Sequence, residues 1–292
     1  MARNVTISAC QYLVRPIRDF DEFRQRVRGL LDQAKGSDLV LFPELFTIEL
    51  FTTLPDWRDR PIADLVEIDK FTPDYKALFA EEARARGQHI VAGSHLMAVG
   101  DGFENLGHIF SPDGAVFAHS KTHIFPAEAN WSTSEGDRME AVQLPFAKVG
   151  FNICYETEIP ECAAALAEQG VEIILCPSAT FTEQGFWRVR HCAQSRCIEN
   201  QVYHVHCCLG GTPGGPLPDG WAKSSVLSPC DLIWSNPAGI VAEAEANREM
   251  VITGTVDIEK LYENRETGAA TTFRDRRRRA HLYREWPSHL HG

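Results

Sequence analysis

No apolar run in this 292-residue chain approaches the ~18–20 residues of a helical membrane span, so a membrane is not an expected partner. Basic residues are in deficit. Lys and Arg number 29 against 40 Asp and Glu, a net charge of -11 that argues against nucleic acid as the main partner. Nine cysteines run from Cys10 to Cys230, yet none are spaced C-x-x-C, which removes the usual signature of a structural zinc site. Cys207 and Cys208 are neighbours on a strand and point to opposite faces, a poor geometry for a bridge, so free thiols are expected. There is no repeat, no low-complexity tract and no long linker. The Gly/Pro-rich stretch GGTPGGPLPDG lacks the Lys-Ser/Thr and the following helix of a phosphate loop. The opening MARNVTISACQYLV enters a strand-like alternation without a basic, apolar and small-residue leader, and a cytoplasmic location is expected.

What is present is alternation. Apolar strands are expected at VTISACQYLV, DLVLFPE, HIVAGSHLM, VEIILCPSAT and VYHVHCCLGG, and in the tail at SSVLSPCD and EMVITGTVD. NLGHIFSPDG and AVFAHSKTHIF meet at Pro112-Asp113-Gly114, a hairpin signal. Helices are expected over DFDEFRQRVRGLLDQA, DYKALFAEEARARG, Glu158 to Glu168 and Gly185 to Asn200. Interleaved helices and strands imply a layered α/β fold, read here as one domain.

The stretch GFNICYETEIPE puts Cys154 at the end of an apolar strand, just before a helix that Pro160 can open. Ligands of open α/β sheets bind at such strand ends, and a helix N-terminus favours a thiolate. A buried cysteine can equally be a small hydrophobe, as most of the other eight are read. A thiol nucleophile acting on a C–N bond needs a base, a cation or donor for the oxyanion, and an acid for the leaving amine. LVLFPELF ends a strand with Glu44. FAHSKTHIFPAE ends another with Lys121, followed by Glu128 in a loop. Each alone reads as a solvated strand end or an ion pair; together they form a set.

In that order, FPELF, HSKTHIFPAE and GFNICYETEIPE resemble the Glu-Lys-Cys motifs of the nitrilase superfamily, the carbon–nitrogen hydrolases. VAGSHL, NLGHIFSPDG, ILCPSAT and RVRHCAQSRCIENQVYHVH look like that family's framework. The end, GTVDIEKLYENRETG through FRDRRRRAHLYREW, is similar to the subgroup often fused to a GNAT-type acetyltransferase domain, here expected to be unfused. The resemblance implies a four-layer α-β-β-α sandwich over residues 1–292, with a C-terminal extension from about 257. It further implies a homodimer or higher oligomer paired through the helix after Cys154 and the one from Gly185 to Asn200.

By the same resemblance Cys154 is the nucleophile, Glu44 the general base and Lys121 the stabiliser of the tetrahedral intermediate, helped by the backbone N–H of Tyr155. Glu128 positions substrate and supports proton transfer, with Glu135 as the competing acid. Lys121 and the helix N-terminus are expected to lower the Cys154 pKa and the glutamates to oppose them in a coupled cluster. Tyr155, Trp131, Thr180 and Phe181 are the candidate substrate contacts from their positions beside the site residues. The implied reaction is hydrolysis of a small non-peptide amide without metal or cofactor. Nitrile hydrolysis and N-carbamoyl cleavage are the alternatives; Tyr155 rather than Trp after the cysteine tilts the reading to an amidase. A catalytically silent binding subunit is the alternative from another class. His204 and His206 share a strand face without a third metal ligand, and Arg274 to Arg279 read as a source of salt bridges.

Overall fold

The computed structural model describes residues 3–283. Met1, Ala2 and residues 284–292, the end of the expected C-terminal extension, lie outside the described residues.

The first strand, β1 (Asn4–Val14), belongs to two sheets. From Asn4 to Gln11 it pairs parallel with β2 (Leu39–Leu41) and antiparallel with the last strand, β12 (Met250–Asp257). Its end, Tyr12 to Val14, turns to pair with β9 (Tyr203–Gly211). The first sheet continues outward through β3 (His89–Val99), β4 (Gly102–Phe110) and β5 (Val116–Ser120). The second runs from β6 (Val142–Gln143) through β7 (Lys148–Phe151) and β8 (Ile173–Ala179) to β9. Its far side carries β10 (Ser225–Leu227) and β11 (Ile240–Glu243).

Strand alternation sorts the side chains into layers. Ile7, Leu39 and Val91 of the first sheet pack directly on Val149, Leu175 and Val205 of the second, and this apolar seam holds the sheets together. The alternate residues Cys10, Val40 and Ile90 point the other way. They pack under α1 (Phe20–Gln33) and α2 (Thr72–Arg86), whose Phe23, Val27, Leu78 and Phe79 form the buried stripe. On the opposite outer face α3 (Pro160–Glu168) sets Ala163 and Leu166 on Ile174. Beside it α4 (Glu183–Asn200) sets Ala193 and Cys197 on Leu227. The result is the expected α-β-β-α sandwich.

Two departures matter for the site. Strand β2 ends at Leu41 rather than running to Glu44, because Pro43 has no N–H to donate to a ladder. The segment after it is largely 3₁₀ helix, Phe46–Thr53 and Ile62–Phe71. Its period of three residues is not the helical period that an apolar pattern would reveal.

Candidate active site

Three strand ends and one hairpin deliver the candidate residues to one edge of the seam. Glu44 follows β2, Lys121 follows β5, Cys154 lies past β7 and Ala179 closes β8. The Glu44 turn is built around Gly93 in β3, whose φ of +59° opens a bulge; a Cβ there would lie 2.0 Å from the Pro43 carbonyl oxygen. Ser94 Oγ then accepts the Leu45 N–H at 3.0 Å, holding Leu45 in the left-handed region at φ +47°. Cys154 is also left-handed, at φ +46°, an unusual conformation for a side chain with a Cβ and one that costs of order 1–3 kcal/mol. It opens a 3₁₀ turn, Cys154–Glu158, and Pro160 occupies the first turn of the helix behind it.

Glu156 holds that corner. Its carboxylate accepts the Ile153 N–H at 2.6 Å, the Thr122 N–H at 2.8 Å and the Thr122 hydroxyl at 2.6 Å, and His119 Nε2 lies 3.0 Å away. Burial alone would raise its pKa, but His119 and Thr122 outweigh that and hold it below the usual carboxylate range. Since Thr122 adjoins Lys121, this one buried carboxylate ties the cysteine turn to the lysine turn.

The centre is a buried carboxylate–ammonium–carboxylate group. Lys121, 1% exposed, donates to Glu44 Oε1 at 2.7 Å and to Glu128 Oε2. Asn105 of β4 donates from Nδ2 to both carboxylates, 3.0 Å to Glu44 Oε1 and 2.7 Å to Glu128 Oε1. Ser132 adds a third donor to Glu128, at 3.0 Å. Glu44 Oε2 accepts the Ala179 N–H at 2.8 Å, and the Cys154 thiol points to the Ala179 carbonyl at 3.7 Å while accepting from Ser178 Oγ at 3.4 Å.

Two acids against one base leave a buried excess of negative charge, and the titration follows from it. Burial raises Glu44, with Glu128 adding and Lys121 opposing. Burial pulls Lys121 down, but Glu128 and Glu44 overcome it and hold the ammonium well above its ordinary value. For Cys154 the expected opposition of Lys121 and Glu44 is present, with burial added to it. Burial, then the charge of Glu44, pushes the thiol well above the ordinary cysteine range, and Lys121 with Ser178 offsets part of this. In the free protein the nucleophile candidate is held toward its thiol form beside the Glu44 carboxyl group.

Cys154 opens onto a cavity of 160 Å³ shared with Thr180 and Phe181, two of the four expected substrate contacts. Trp131 lines a smaller neighbouring cavity of 20 Å³ on the other side of the same Thr180–Phe181 segment. Tyr155 is not a lining residue; its ring packs edge-on against Phe125, 5.6 Å between centroids. Its backbone lies in the first 3₁₀ turn, where N–H groups lack intrahelical acceptors. Glu135 is exposed and accepts the Ile124 N–H at 2.8 Å; the Lys121 ammonium bonds Glu44 and Glu128 instead. Sequence reasoning passed over Asn105 and Glu156. A buried amide inside an apolar strand was the available signal for the first.

The profile of the Carbon-nitrogen hydrolase family matches residues 6–266. The chain belongs to the carbon–nitrogen hydrolase family. A probable hydrolase of Bacillus subtilis, YhcX, is 35% identical over 283 residues; these are 94% of this chain and 54% of that protein, so the chain spans about half of that relative's length. The omega-amidase NIT2-B of Xenopus laevis is 26% identical over 279 residues, 89% of this chain and 91% of that one. In fold, this carbon–nitrogen hydrolase resembles one from Helicobacter pylori (TM-score 0.79, 18% identity, 97% of this chain and 99% of that one). Saccharomyces cerevisiae Nit3, of branch 10 of the nitrilase superfamily, is also close (TM-score 0.72, 24% identity, 93% and 96% covered).

The other sequence signals fall outside this hydrolase's site. His204 and His206 are buried beneath α4, His206 stacked on Phe186 at 5.5 Å between centroids. Among the described residues no group of three His, Cys, Asp or Glu is arranged to hold a metal. Arg190 is buried against Gln194 of α4 and Glu243 of β11, while Arg188, two residues earlier, lines the cavity. Of the arginine run, Arg277 reaches Glu168 and packs on Phe273, and Arg278 pairs with Asp275.

Proposed function

We propose that the chain is an amidase that cleaves a small non-peptide amide through a cysteine thioester. The single observation that carries this reading is the buried Glu44–Lys121–Glu128 group joined to Cys154 through Ala179. A carboxylate pair and an ammonium removed from water cost several kcal/mol unless they pair well or do chemistry. In this reading Glu44 takes the Cys154 proton as sulfur adds to the amide carbon. Lys121 and the Tyr155 N–H meet the developing oxyanion. The proton returns to the amine, which leaves as ammonia or an amine, and a water activated by Glu44 then cleaves the thioester to acid and free thiol. Glu128, held by Asn105 and Ser132, keeps Lys121 in place and orients the substrate.

The omega-amidase name of the Xenopus relative favours amide over nitrile or N-carbamoyl substrates. The steps need no cofactor. The reading includes a single domain acting in the cytoplasm, and no helix among the described residues is long and apolar enough to cross a membrane. It also includes pairing of two copies through α3 and α4, on which Trp187 and Ile198 are exposed. Ammonia release from a panel of amides, nitriles and N-carbamoyl compounds tests it. Amide turnover that vanishes in Cys154→Ala is expected. Turnover that survives the substitution, or is confined to nitriles, would overturn it.

A further inference from the structure

The cysteine turn, Cys154–Glu158, is gripped at both ends. At its start the Glu156 carboxylate takes the Ile153 N–H. Within it the Glu156 N–H donates to the Ile153 carbonyl at 3.1 Å, and the Ile159 N–H to the Glu156 carbonyl at 3.2 Å. The Thr157 and Glu158 carbonyls come last, where a short helix runs out of its own donors. Arg196 of α4 reaches both. Its Nε donates to the Thr157 carbonyl at 3.0 Å and its Nη2 to the Glu158 carbonyl at 3.2 Å. Nη1 donates to Glu199 at 2.7 Å, so every nitrogen of the guanidinium has a fixed partner. Arg196 is 5% exposed, while the Glu199 side chain that answers its charge is 47% exposed. A buried guanidinium is a costly way to satisfy two carbonyls, but its rigid planar fork also fixes their relative position.

We propose that Arg196 is a positioning residue for the nucleophile: by gripping the two carbonyls that close the cysteine turn, it keeps Cys154 in its left-handed backbone conformation with the sulfur beside Ala179. This rests on the amidase reading above and adds a part to it. A non-glycine residue at φ +46° persists only where its surroundings over-determine it. Glu156 fixes the residue before Cys154, and Arg196 fixes the residues after it. Release of the far end lets the backbone relax and turns the Cα–Cβ bond. The sulfur then leaves the Ala179 carbonyl and the Ser178 hydroxyl, and the Tyr155 N–H moves with it. The charges that bear on the thiol are Glu44 and Lys121, with Cys176 and Ser178 beside it; Arg196 acts through the backbone.

Amide turnover and the pH profile of Cys154 alkylation by iodoacetamide test this in the wild type, Arg196→Gln and Arg196→Lys. The alkylation counted is the part that Cys154→Ala abolishes, and turnover is expressed per labelled Cys154. A residue that only stabilised the fold would change the amount of labelled protein and nothing else. Arg196→Gln should instead lower kcat per site about 10- to 100-fold with KM changed far less, the cost of a reacting atom displaced by up to about 1 Å. Its alkylation profile should move down toward the ~8.5 of an unperturbed thiol, because a displaced sulfur meets water. The sign is diagnostic, since loss of a cation acting through space would push the thiol further up. Arg196→Lys, able to hold one carbonyl but not both, should fall between. An unchanged kcat per site, or an alkylation profile in Arg196→Gln that stays or moves up, overturns the proposal. Should Arg196→Gln not fold, Arg196→Lys decides: a lowered kcat with a lowered profile supports it, and wild-type values overturn it. Should the wild type hydrolyse no amide, the amidase reading falls and the alkylation profile decides alone. A downward shift in Arg196→Gln then keeps Arg196 as the holder of Cys154, and an unmoved profile discards it.

Discussion

Glu44 and Cys154 grip opposite ends of one residue: the Ala179 N–H donates to Glu44 Oε2 at 2.8 Å, and the Cys154 thiol points to the Ala179 carbonyl at 3.7 Å. The end of β8 is thus a spacer that fixes the Glu44 carboxylate on the first sheet against the Cys154 thiol on the second. If Glu44 carries the proton, Glu44→Gln should keep the fold and the Ala179 contact while lowering kcat about 10²- to 10⁴-fold. Steady-state ammonia release with a parallel melting curve checks both halves.

Removing the cation should be worse for stability than removing an acid. Lys121→Met strands Glu44 and Glu128 in the core, and breaking such a buried pair costs about 3–5 kcal/mol. Chemical denaturation should show that loss, and Lys121→Met combined with Glu128→Gln should recover a good part of it. Additive losses in the double variant would mean the two groups do not feel each other.

Asn105 holds both carboxylates from one amide nitrogen. Asn105→Ala should lower kcat about 10- to 100-fold through misplacement of Glu44 and Glu128. Asn105→Asp, nearly the same size, should be the more damaging, since it adds a third acid to a group already in excess of negative charge. An Asp variant as active as the wild type would remove Asn105 from the machinery.

Thiol chemistry gives the pH dependence. Cys154 is held well above the ordinary range, so its reaction with iodoacetamide should be slow at neutral pH and still rising beyond pH ~8.5, where an unperturbed cysteine is half ionised. Because Glu44 is one of the groups raising it, Glu44→Gln should speed labelling at pH 8. A rate that levels off near 8.5 in the wild type would contradict the burial argument.

Acid stability should register Glu156. Its folded pKa lies below the unfolded value near 4.5, so it contributes stability that is complete above that pH and is lost as pH falls through the depressed folded value. Glu156→Gln should destabilise at pH 7, and its deficit against the wild type should shrink below pH 4.5. Paired denaturation curves at pH 7 and pH 4 measure the difference.

Glu44, Lys121 and Cys154 were readable as a set because each lies at or shortly past the end of an apolar strand, in the order of the family's motifs. Asn105 was not, since its partners stand 61 and 23 residues away and its own strand looks ordinary. Glu156 passed for one of several acids before a proline; its bond to His119 spans 37 residues. The layers were legible from alternation, but the division of β1 between two sheets was not, because no local pattern records which strand a backbone will meet. The burial that dominates Cys154 was not legible for the same reason: the charges near it could be named, but not how completely water is excluded.

That divided strand ties folding to synthesis. Asn4 lies opposite Asp257 and Ile7 opposite Gly254, so during synthesis one edge of β1 stays open until β12, far later in the sequence, has been made. Ladders between such distant segments are slow to close, and an unpaired apolar edge recruits other edges while it waits. For this chain the hazardous interval is therefore translation, and a nascent-chain chaperone that covers β1 would do more for yield than any added stability in the finished fold.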